Sequence, residues 1–232
     1  MSIGTLSERS LHAAVKLFCE PDVTQHEISL GRYVADICGE EGIIEVQTGN
    51  FHQLRAKLGA FLPECPVTVA YPLPRAKQIQ WLDAETGELL RQRRSPRRGT
   101  AWDAFAELYR ILPYLTHPNF RLRLLLLDVV EQRHVSKKNR KGYSRLDQLP
   151  LRPLEPGTIE TIALRCPGDY AALLPEALPK EFTTSDLSKA AKIPLETAQT
   201  ALRVMAEVGA VRRAGKRGNW VVYEKNDPLA AV

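Results

Sequence analysis

The first 75 residues switch between helical and strand patterns in a fixed order, and this order constrains the fold more than any other feature of the chain. Apolar residues spaced three and four apart predict a first helix that ends at Glu20. Strand patterns then follow over 26–30, 32–37 and 43–48, a helical stripe covers 51–62, and a buried strand pattern covers 67–71 and ends at Pro72. Three strands followed by a helix and another strand predict an α/β layer, in which a meander leads into a helical crossover.

The composition excludes several classes of protein. The chain has 232 residues, of which 44% are hydrophobic and 25% charged, as in an ordinary globular protein. No stretch approaches the ~20 uncharged apolar residues of a membrane helix, and the N-terminus lacks the apolar core of a secretory signal. No CxxC pair occurs among the cysteines, so the sequence predicts neither a zinc site nor a disulfide framework. We therefore expect a cytoplasmic protein without membrane association.

Positive charge is distributed unevenly along the chain. Residues 1–90 contain 7 basic and 12 acidic side chains, residues 91–145 contain 14 and 4, and residues 146–232 contain 11 of each. Such asymmetry favours contact with nucleic acid, although the same runs are also compatible with solvated loops. Arginine suits phosphate because its guanidinium can bind two oxygens at once. The side chains predicted to contact the DNA backbone in this segment are Arg91, Arg93, Arg94, Arg97, Arg98, Lys137, Lys138, Arg140 and Lys141.

Two carboxylates interrupt the apolar runs of the second and third strands. If Cys38 pairs with Ile43 across the turn, register counting places Asp36 opposite Glu45. Directly opposed carboxylates repel each other unless a cation lies between them, and a hard divalent ion with oxygen ligands is the natural choice. The other interpretation is a half-exposed hairpin with ordinary polar residues on its outer face. The histidine of the first helix, His12, is interpreted as a surface residue outside this pair.

This arrangement resembles the PD-(D/E)XK nuclease superfamily. The resemblance covers about residues 5–75 and rests on the element order and on the segments VADI and IIEVQT. In that superfamily the Asp and the Asp/Glu of the motif hold Mg²⁺, and a lysine two positions later helps to orient and activate water. The resemblance therefore implies that Asp36 and Glu45 are metal ligands. It also implies that Gln47 occupies the lysine position and that Glu27, on the preceding strand, matches a variable extra acid that would be a third ligand.

The chain departs from the superfamily pattern at two positions. Ala35 precedes Asp36 where the pattern has proline, and Gln47 cannot supply a positive charge. In subfamilies that have glutamine here, a lysine from the next helix can substitute, and Lys57 is the candidate in this chain. The catalytic set implied by the resemblance is Asp36, Glu45, Gln47 and Lys57, with Mg²⁺ or Mn²⁺ as the cofactor.

Residues 181–225 resemble a winged helix-turn-helix domain. A short helix over 185–191 and a longer helix over 195–208 are followed by a hairpin with a basic tip. The resemblance implies that the longer helix faces a DNA groove and that the hairpin touches phosphates. The other use of such a domain is protein contact or structural packing. The residues implied in DNA binding are Gln199, Arg203, Arg212, Arg213, Lys216 and Arg217.

These patterns predict three segments. A nuclease-like α/β domain covers 1–148, a proline-rich connector covers 149–180 and a winged helix-turn-helix domain covers 181–232. The expected fold class is α/β, with a restriction-endonuclease-like mixed sheet flanked by helices and a small winged-helix domain. The expected function is that of a metal-dependent endonuclease acting on double-stranded DNA. The alternatives are a catalytically inactive DNA-binding transcriptional regulator with a degenerate nuclease core, and an RNA-processing factor. The sequence leaves open whether a homodimer forms to cut both strands.

Overall fold

The computed structural model describes residues 10–135 and 142–226. Within these residues, the α-helices are Leu11–Cys19 (α1), Arg55–Phe61 (α2), Phe105–Leu108 (α3), Pro167–Ala171 (α4), Thr184–Ala191 (α5) and Leu195–Glu207 (α6). The strands are His26–Leu30 (β1), Tyr33–Gly39 (β2), Gly42–Val46 (β3), Val67–Leu82 (β4), Leu89–Arg94 (β5), Phe120–Val135 (β6), Tyr143–Pro150 (β7), Glu160–Leu164 (β8), Glu181–Thr183 (β9), Val211–Arg217 (β10) and Trp220–Lys225 (β11). Short 3-10 helices lie at Val23–Gln25, Phe51–Leu54, Ala101–Ala104 and Tyr109–Tyr114. None of these helices is both long and apolar enough to cross a membrane.

Eight of the strands form one mixed sheet. Their order is β1-β2-β3-β4-β6-β7, with β5 paired to β4 and β8 paired to β6 beside this path. β4 runs parallel to β3 and to β6, and the other pairs are antiparallel. Parallel neighbours need a crossover connection, which α2 provides between β3 and β4. The predicted α/β layer with a mixed sheet flanked by helices is therefore confirmed.

Helices cover both faces of this sheet. Leu11 and Val15 of α1 are buried in one apolar cluster with Val46 of β3. Leu58 of α2 lies in a second and larger cluster, together with Ile43 of β3. Because side chains alternate along a strand, Ile43 and Val46 face opposite sides of the sheet. The short β3 is therefore enclosed between α1 and α2.

β4 continues through Pro72 and Pro74, although the sequence predicts that the strand ends at Pro72. Pairing between β3 and β4 reaches Val46 and Ala70, and the N–H of Gln47 still donates to the carbonyl oxygen of Ala70 at 2.9 Å. The main-chain groups of residues 70, 72 and 74 point to the edge of β4 that faces β3. Because β3 ends beside Ala70, the two prolines lie where this edge has no partner strand, and the N–H that each proline lacks is not needed there. Proline therefore breaks no ladder hydrogen bond here, and β4 stays paired with β6 on its other side.

The proline-rich region 149–180 joins the main sheet and core, where the sequence predicts a connector. Strand β8 pairs with β6 from Leu122↔Leu164 to Leu126↔Glu160. Leu164 and Tyr170, on β8 and α4, are buried in the larger apolar cluster. The density of prolines indicates frequent chain reversals, and the short elements between those reversals still carry buried side chains.

The C-terminal residues form a second sheet with the order β10-β11-β9, and α5 and α6 connect β9 to β10. Thr183 and Asp186 form a capping box at the start of α5, and Gly209 follows α6 with a φ of 77°. α6 packs on α3, and Leu202 of α6 lies in the same buried cluster as Phe105 of α3. The C-terminal unit therefore shares one continuous core with the helices on the main sheet.

Candidate active site

The candidate site lies where β2 and β3 separate. The two strands pair antiparallel as far as Ile37 and Ile44, in the register that the sequence predicts. One position further on, side chains replace the main-chain ladder. The N–H of Val46 donates to Oδ2 of Asp36 at 2.9 Å, and the N–H of Asp36 donates to Oε1 of Glu45 at 3.4 Å. The two carboxylates are thereby held between the diverging strands.

A glycine fixes the turn that sets this register. Gly42 has a φ of 106°, and a Cβ at this position would overlap the carbonyl oxygen of Pro66. Only glycine combines a positive φ with such a close approach at low cost. The same oxygen of Pro66 accepts a hydrogen bond from the N–H of Ile43 at 2.9 Å. The turn between β2 and β3 is therefore tied to the start of β4, and the positions of all three strands are set together.

Lys57 places a positive charge against this pair of acids. Its Nζ donates to Oε2 of Glu45 at 2.7 Å, and Glu45 is only 2% exposed. Phe51, Leu54 and Leu58 are buried in the core beneath α2 and the 3-10 turn before it. Their burial fixes the rotation of α2, so Lys57 lies beside the strand that carries Glu45. The helix that crosses from β3 to β4 thus supplies the lysine.

His12 of α1 contacts the same pair of acids. Its Nε2 lies 3.3 Å from Oδ2 of Asp36. The sequence interpretation places His12 at the surface outside the site, and the structure corrects that interpretation. The apolar spacing of α1 indicates only that Leu11 and Val15 face the core. One feature of the sequence could have indicated this position. Lys16 follows His12 by one helical turn, so two polar side chains share the helix face next to the buried residues and can reach the strands on which α1 packs.

The pKa values of the two carboxyls are shifted in opposite directions. Burial raises the pKa of Glu45 to about 6, because the charge of Asp36 adds to the effect and Lys57 opposes only part of it. Burial also raises the pKa of Asp36, but hydrogen bonds from His12 and from the N–H of Val46 outweigh it and hold that pKa below its usual value. Neighbouring acids with separated pKa values are typical of functional sites.

Glu27 does not join Asp36 and Glu45, and the prediction that it is a third metal ligand is corrected. Its backbone has a φ of 55°, a left-handed conformation that interrupts the alternation of β1. Its exposed side chain forms an ion pair with Lys16, which is buried on α1. Since Lys16 holds the carboxylate against the helix, Glu27 takes part in fixing α1 to β1.

Gln47 contacts the loop that follows β3. Its Nε2 donates to the carbonyl oxygen of Gly49. Lys57, and not Gln47, is therefore the side chain that donates to Glu45.

The side chains that could coordinate a metal ion here are the two carboxylates of Asp36 and Glu45, and His12 contacts the carboxylate of Asp36. Across residues 10–135 and 142–226, no group of three or more His, Cys, Asp or Glu side chains is arranged to hold a metal ion. Mg²⁺ is usually bound through one or two carboxylates, with waters and substrate phosphates completing its coordination. The residues present therefore fit an open magnesium site and do not fit a closed protein cage.

The predicted DNA-contacting arginines of β5 do not share one surface. Arg91 and Arg93 pair with Trp81 and Ile79 of β4, and Arg94 lies on the opposite face because side chains alternate. The Cζ atoms of Arg91 and Arg93 lie 5.2 and 5.6 Å from the centroid of the Trp81 ring. These two arginines therefore surround an aromatic side chain, whereas Arg94 is separated from them by the sheet.

The other predicted contacts of the basic segment differ in their surroundings. Arg97 forms an ion pair with Asp103, with 2.6 Å between Nη2 and Oδ1. Arg98 is exposed on the loop between β5 and the helix that follows. The remaining predicted residues lie outside the described part of the chain: Lys137, Lys138, Arg140 and Lys141.

The C-terminal unit exposes several of the predicted DNA-contacting side chains. Gln199 and Arg203 lie on the exposed stripe of α6. The guanidinium of Arg203 also lies 5.9 Å from the centroid of Tyr109, which ties this stripe to the main unit. On β10, Arg212 forms an ion pair with Glu224 at 2.7 Å. The exposed basic residues of β10 that form no ion pair within the described residues are Arg213, Lys216 and Arg217.

Comparison with known proteins places the site inside a recognised sequence family. Residues 9–159 match a family described as "Domain of unknown function (DUF8091)". The match includes the β2–β3 hairpin, α2 and the basic strand β5. A protein of Treponema pallidum (strain Nichols), described as an uncharacterized protein, is 29% identical over 229 residues, which cover 98% of this chain and 89% of that relative. No solved structure matches the chain.

Proposed function

The chain belongs to the DUF8091 family, and we propose that it is a metal-dependent nuclease that hydrolyses phosphodiesters in DNA. The observation that carries the proposal is the meeting of Asp36, Glu45 and Lys57 at the point where β2 and β3 separate. A structural ion pair requires one acid and one base. A second, partly buried acid adds repulsion, which a bound cation would relieve.

The order of elements gives independent support. The chain runs α1-β1-β2-β3-α2-β4, with β1 to β3 antiparallel and β4 parallel to β3. This is the order on which the resemblance to the PD-(D/E)XK superfamily rests. We therefore propose a nuclease-like core within the main sheet, with its site at the end of the β2–β3 ladder.

Each side chain of the site has a separate role. Asp36 and Glu45 would hold Mg²⁺ or Mn²⁺, which when bound would neutralise charge on the phosphate and lower the pKa of a water. His12 and the N–H of Val46 stabilise Asp36 as a carboxylate, the form in which it can bind a cation. Lys57 orients Glu45 and offers its remaining N–H donors to a phosphate oxygen. Gln47 fixes the loop after β3.

Exposed basic side chains would hold the DNA. We assign Arg213, Lys216 and Arg217 to phosphate contacts, since they are exposed and carry unneutralised charge. The order β9-α5-α6-β10-β11 supports the resemblance to a winged helix-turn-helix domain, with β10 and β11 as the wing. Gln199 and Arg203 on the exposed stripe of α6 would face a groove.

The alternative is a DNA-binding regulator whose nuclease core is inactive. It is favoured by the small donor set, since the described residues offer only two clustered carboxylates and Gln47 replaces the usual lysine. The two functions differ in one outcome, because the regulator would bind DNA and leave it intact in the presence of Mg²⁺ or Mn²⁺.

Removal of one acid should abolish cleavage. We expect the wild-type chain to cleave plasmid DNA and labelled duplex oligonucleotides with Mg²⁺ or Mn²⁺ and to leave them intact with EDTA. In Asp36→Asn the initial rate should fall at least ~100-fold, because metal-based charge stabilisation contributes several kcal/mol and each 1.4 kcal/mol is tenfold in rate. Gel analysis of the products, together with RNA of the same sequence, measures both the rate and the choice of polymer.

The matched control is Glu41→Gln, which removes an exposed carboxylate from the turn of the same hairpin. Its rate should equal that of the wild type. Equal rates in the wild type and in Asp36→Asn would contradict the proposal, and intact DNA in every reaction would favour the inactive regulator.

A further inference from the structure

A second candidate site lies on the part of the sheet that extends beyond the β2–β3 hairpin, towards the C-terminal ends of β4 and β6. Trp81 of β4 pairs with Arg91 of β5 on one side and with Arg133 of β6 on the other. Arg93 lies on the same face because it is two positions after Arg91 on β5. Tyr143 lies there because it pairs with the position two after Arg133 on β6. We call this set of five residues the Trp81 face. It joins side chains from four adjacent strands.

Guanidinium groups surround the aromatic rings of the Trp81 face. The Cζ atoms of Arg91, Arg93 and Arg133 lie 5.2, 5.6 and 5.5 Å from the centroid of the Trp81 ring. Arg133 also lies 4.1 Å from the centroid of Tyr143. Both rings are partly exposed. The face therefore combines partly exposed aromatic rings with guanidinium N–H donors.

The positive charge on this face is only partly neutralised. The Nε of Arg133 donates to Glu131 at 2.6 Å. Arg91 and Arg93 form no ion pair within residues 10–135 and 142–226, and both are exposed. The unpaired guanidinium groups of Arg91 and Arg93 lie near one indole and repel each other, so an anion with several oxygens would stabilise the arrangement.

The opposite side of the same strands differs in character. At the next rung, Gln80 accepts a hydrogen bond from Gln132 at 3.4 Å and donates one to Gln92 at 3.1 Å. These amides satisfy one another across three strands. The clustering of rings and guanidinium groups is therefore a property of the Trp81 face and not of the whole sheet extension.

Aromatic rings next to arginines fit one kind of anion best. In a duplex the faces of the bases are stacked and hidden, so a protein surface meets mainly phosphates and groove edges. In a single strand the bases can turn outward and stack on aromatic side chains while arginines hold the phosphates. If the face bound only phosphates, the arginines would be sufficient, and Trp81 and Tyr143 would have no role in binding.

We propose that the Trp81 face binds a single-stranded segment of DNA, with bases stacked on Trp81 and Tyr143 and phosphates held by Arg91 and Arg93. This inference deepens the proposed nuclease function and rests on it for the choice of DNA as the polymer. It adds a second contact, to an unpaired strand, which the sheet extension holds at the end of β4 that lies away from the β2–β3 hairpin.

Binding in EDTA separates this site from cleavage. Fluorescence anisotropy would follow the full chain with three labelled probes, namely a 15-residue oligothymidylate, an abasic strand of the same length and charge, and a 15-base-pair duplex. We expect oligothymidylate to bind more tightly than the abasic strand, and we expect the ring variants to leave binding of the duplex unchanged. Trp81→Leu and Tyr143→Leu should each weaken its binding at least ~5-fold and leave binding of the abasic strand unchanged, because only the stacking is lost.

The arginine variants test the charge. Arg91→Ala should weaken the binding of oligothymidylate and of the abasic strand alike and lower the salt slope by about 0.7, as expected for one lost phosphate contact on a single strand. The matched control is Arg32→Ala, which removes an exposed guanidinium 5.0 Å from the ring of Tyr33 on the β1–β2 turn. It should bind oligothymidylate as the wild type does.

The inference would be overturned if oligothymidylate and the abasic strand bound equally, or if Trp81→Leu and Tyr143→Leu, with wild-type thermal melting, kept full affinity. Its failure is distinguishable from failure of the proposed function. Selective binding of oligothymidylate in EDTA without cleavage in Mn²⁺ would support the Trp81 face as a binding site and contradict the proposed nuclease function. Cleavage that depends on Asp36, with no effect of the ring variants on binding, would do the reverse.

Discussion

Replacing Glu45 with glutamine is expected to abolish DNA cleavage and, at the same time, to stabilise the metal-free protein. Glu45 is 2% exposed, and its raised pKa means that the fold disfavours its ionised form. Cleavage should fall at least ~100-fold, since the glutamine amide cannot hold a divalent cation as a carboxylate does. At pH 8 the free energy of unfolding should rise by about 1–2 kcal/mol, which is the cost of ionising Glu45 inside the fold.

The pH dependence of this stabilisation has a definite sign. Since the pKa of Glu45 is about 6 in the folded chain and 4.5 in its ordinary state, the folded chain binds the proton more tightly. The wild type therefore loses stability as the pH rises from about 4.5 to about 6, and the loss is complete above that window. The advantage of Glu45→Gln should be absent below pH 4.5, grow between pH 4.5 and 6, and stay constant above.

Urea unfolding of the metal-free chains at pH 4 and pH 8, with Glu41→Gln as the control, measures these differences. Glu41 is exposed in the adjacent turn, so its variant should match the wild type at both values. If Glu45 served only a structural ion pair with Lys57, Glu45→Gln would be less stable than the wild type at pH 8. That outcome would contradict the account of a strained functional acid.

Replacing Glu131 with alanine is expected to cause a large loss of stability. Glu131 is 4% exposed on β6 and accepts hydrogen bonds from Lys77 at 2.8 Å, Arg133 at 2.6 Å and Gln148 at 3.2 Å. Removing it leaves two partly buried cations facing each other without an anion. Loss of one partner from a buried ion pair costs about 3–5 kcal/mol, and we expect a loss of about 3 kcal/mol here because Lys77 is partly exposed.

Acid should reduce this difference. Burial raises the pKa of Glu131, but hydrogen bonds from Lys77 and Arg133 outweigh it and lower the pKa from 4.5 to about 2. Glu131 therefore stabilises the fold fully above pH 4.5, and the stabilisation is lost as the pH falls towards 2. Urea midpoints of the wild type and Glu131→Ala should accordingly converge in acid. A loss below 1 kcal/mol at pH 7, or one equal to that of the exposed control Glu85→Ala, would refute the role of this cluster.

The register of β2 and β3 could be predicted from the sequence because it depends on local signals. A glycine-bounded turn and an alternating strand fix which residues face each other, and this places Asp36 next to Glu45. The helix lysine could also be identified, since the burial of Phe51 and Leu58 on the same helical stripe leaves little freedom in the direction of Lys57.

Other features depend on contacts between distant parts of the chain and had no local signal. Pro72 continues a strand only because β3 ends beside Ala70, and the sequence gives no measure of where a neighbouring strand ends. The contact of His12 with Asp36 depends on how α1 crosses the sheet. The Trp81 face requires the pairing of β4 with both β5 and β6, whereas the sequence shows only a run of arginines.

Binding of Mn²⁺ tests the central claim most directly, because it reports on the two carboxylates without requiring turnover. In a titration followed by electron paramagnetic resonance, the signal of free Mn²⁺ falls as the ion binds to the protein. We expect the wild type to bind Mn²⁺ and Lys57→Met to retain this binding, while Asp36→Asn and Glu45→Gln lose it. Absence of binding to the wild type, or binding that persists unchanged in both Asp36→Asn and Glu45→Gln, would contradict the assignment of this site as a metal centre.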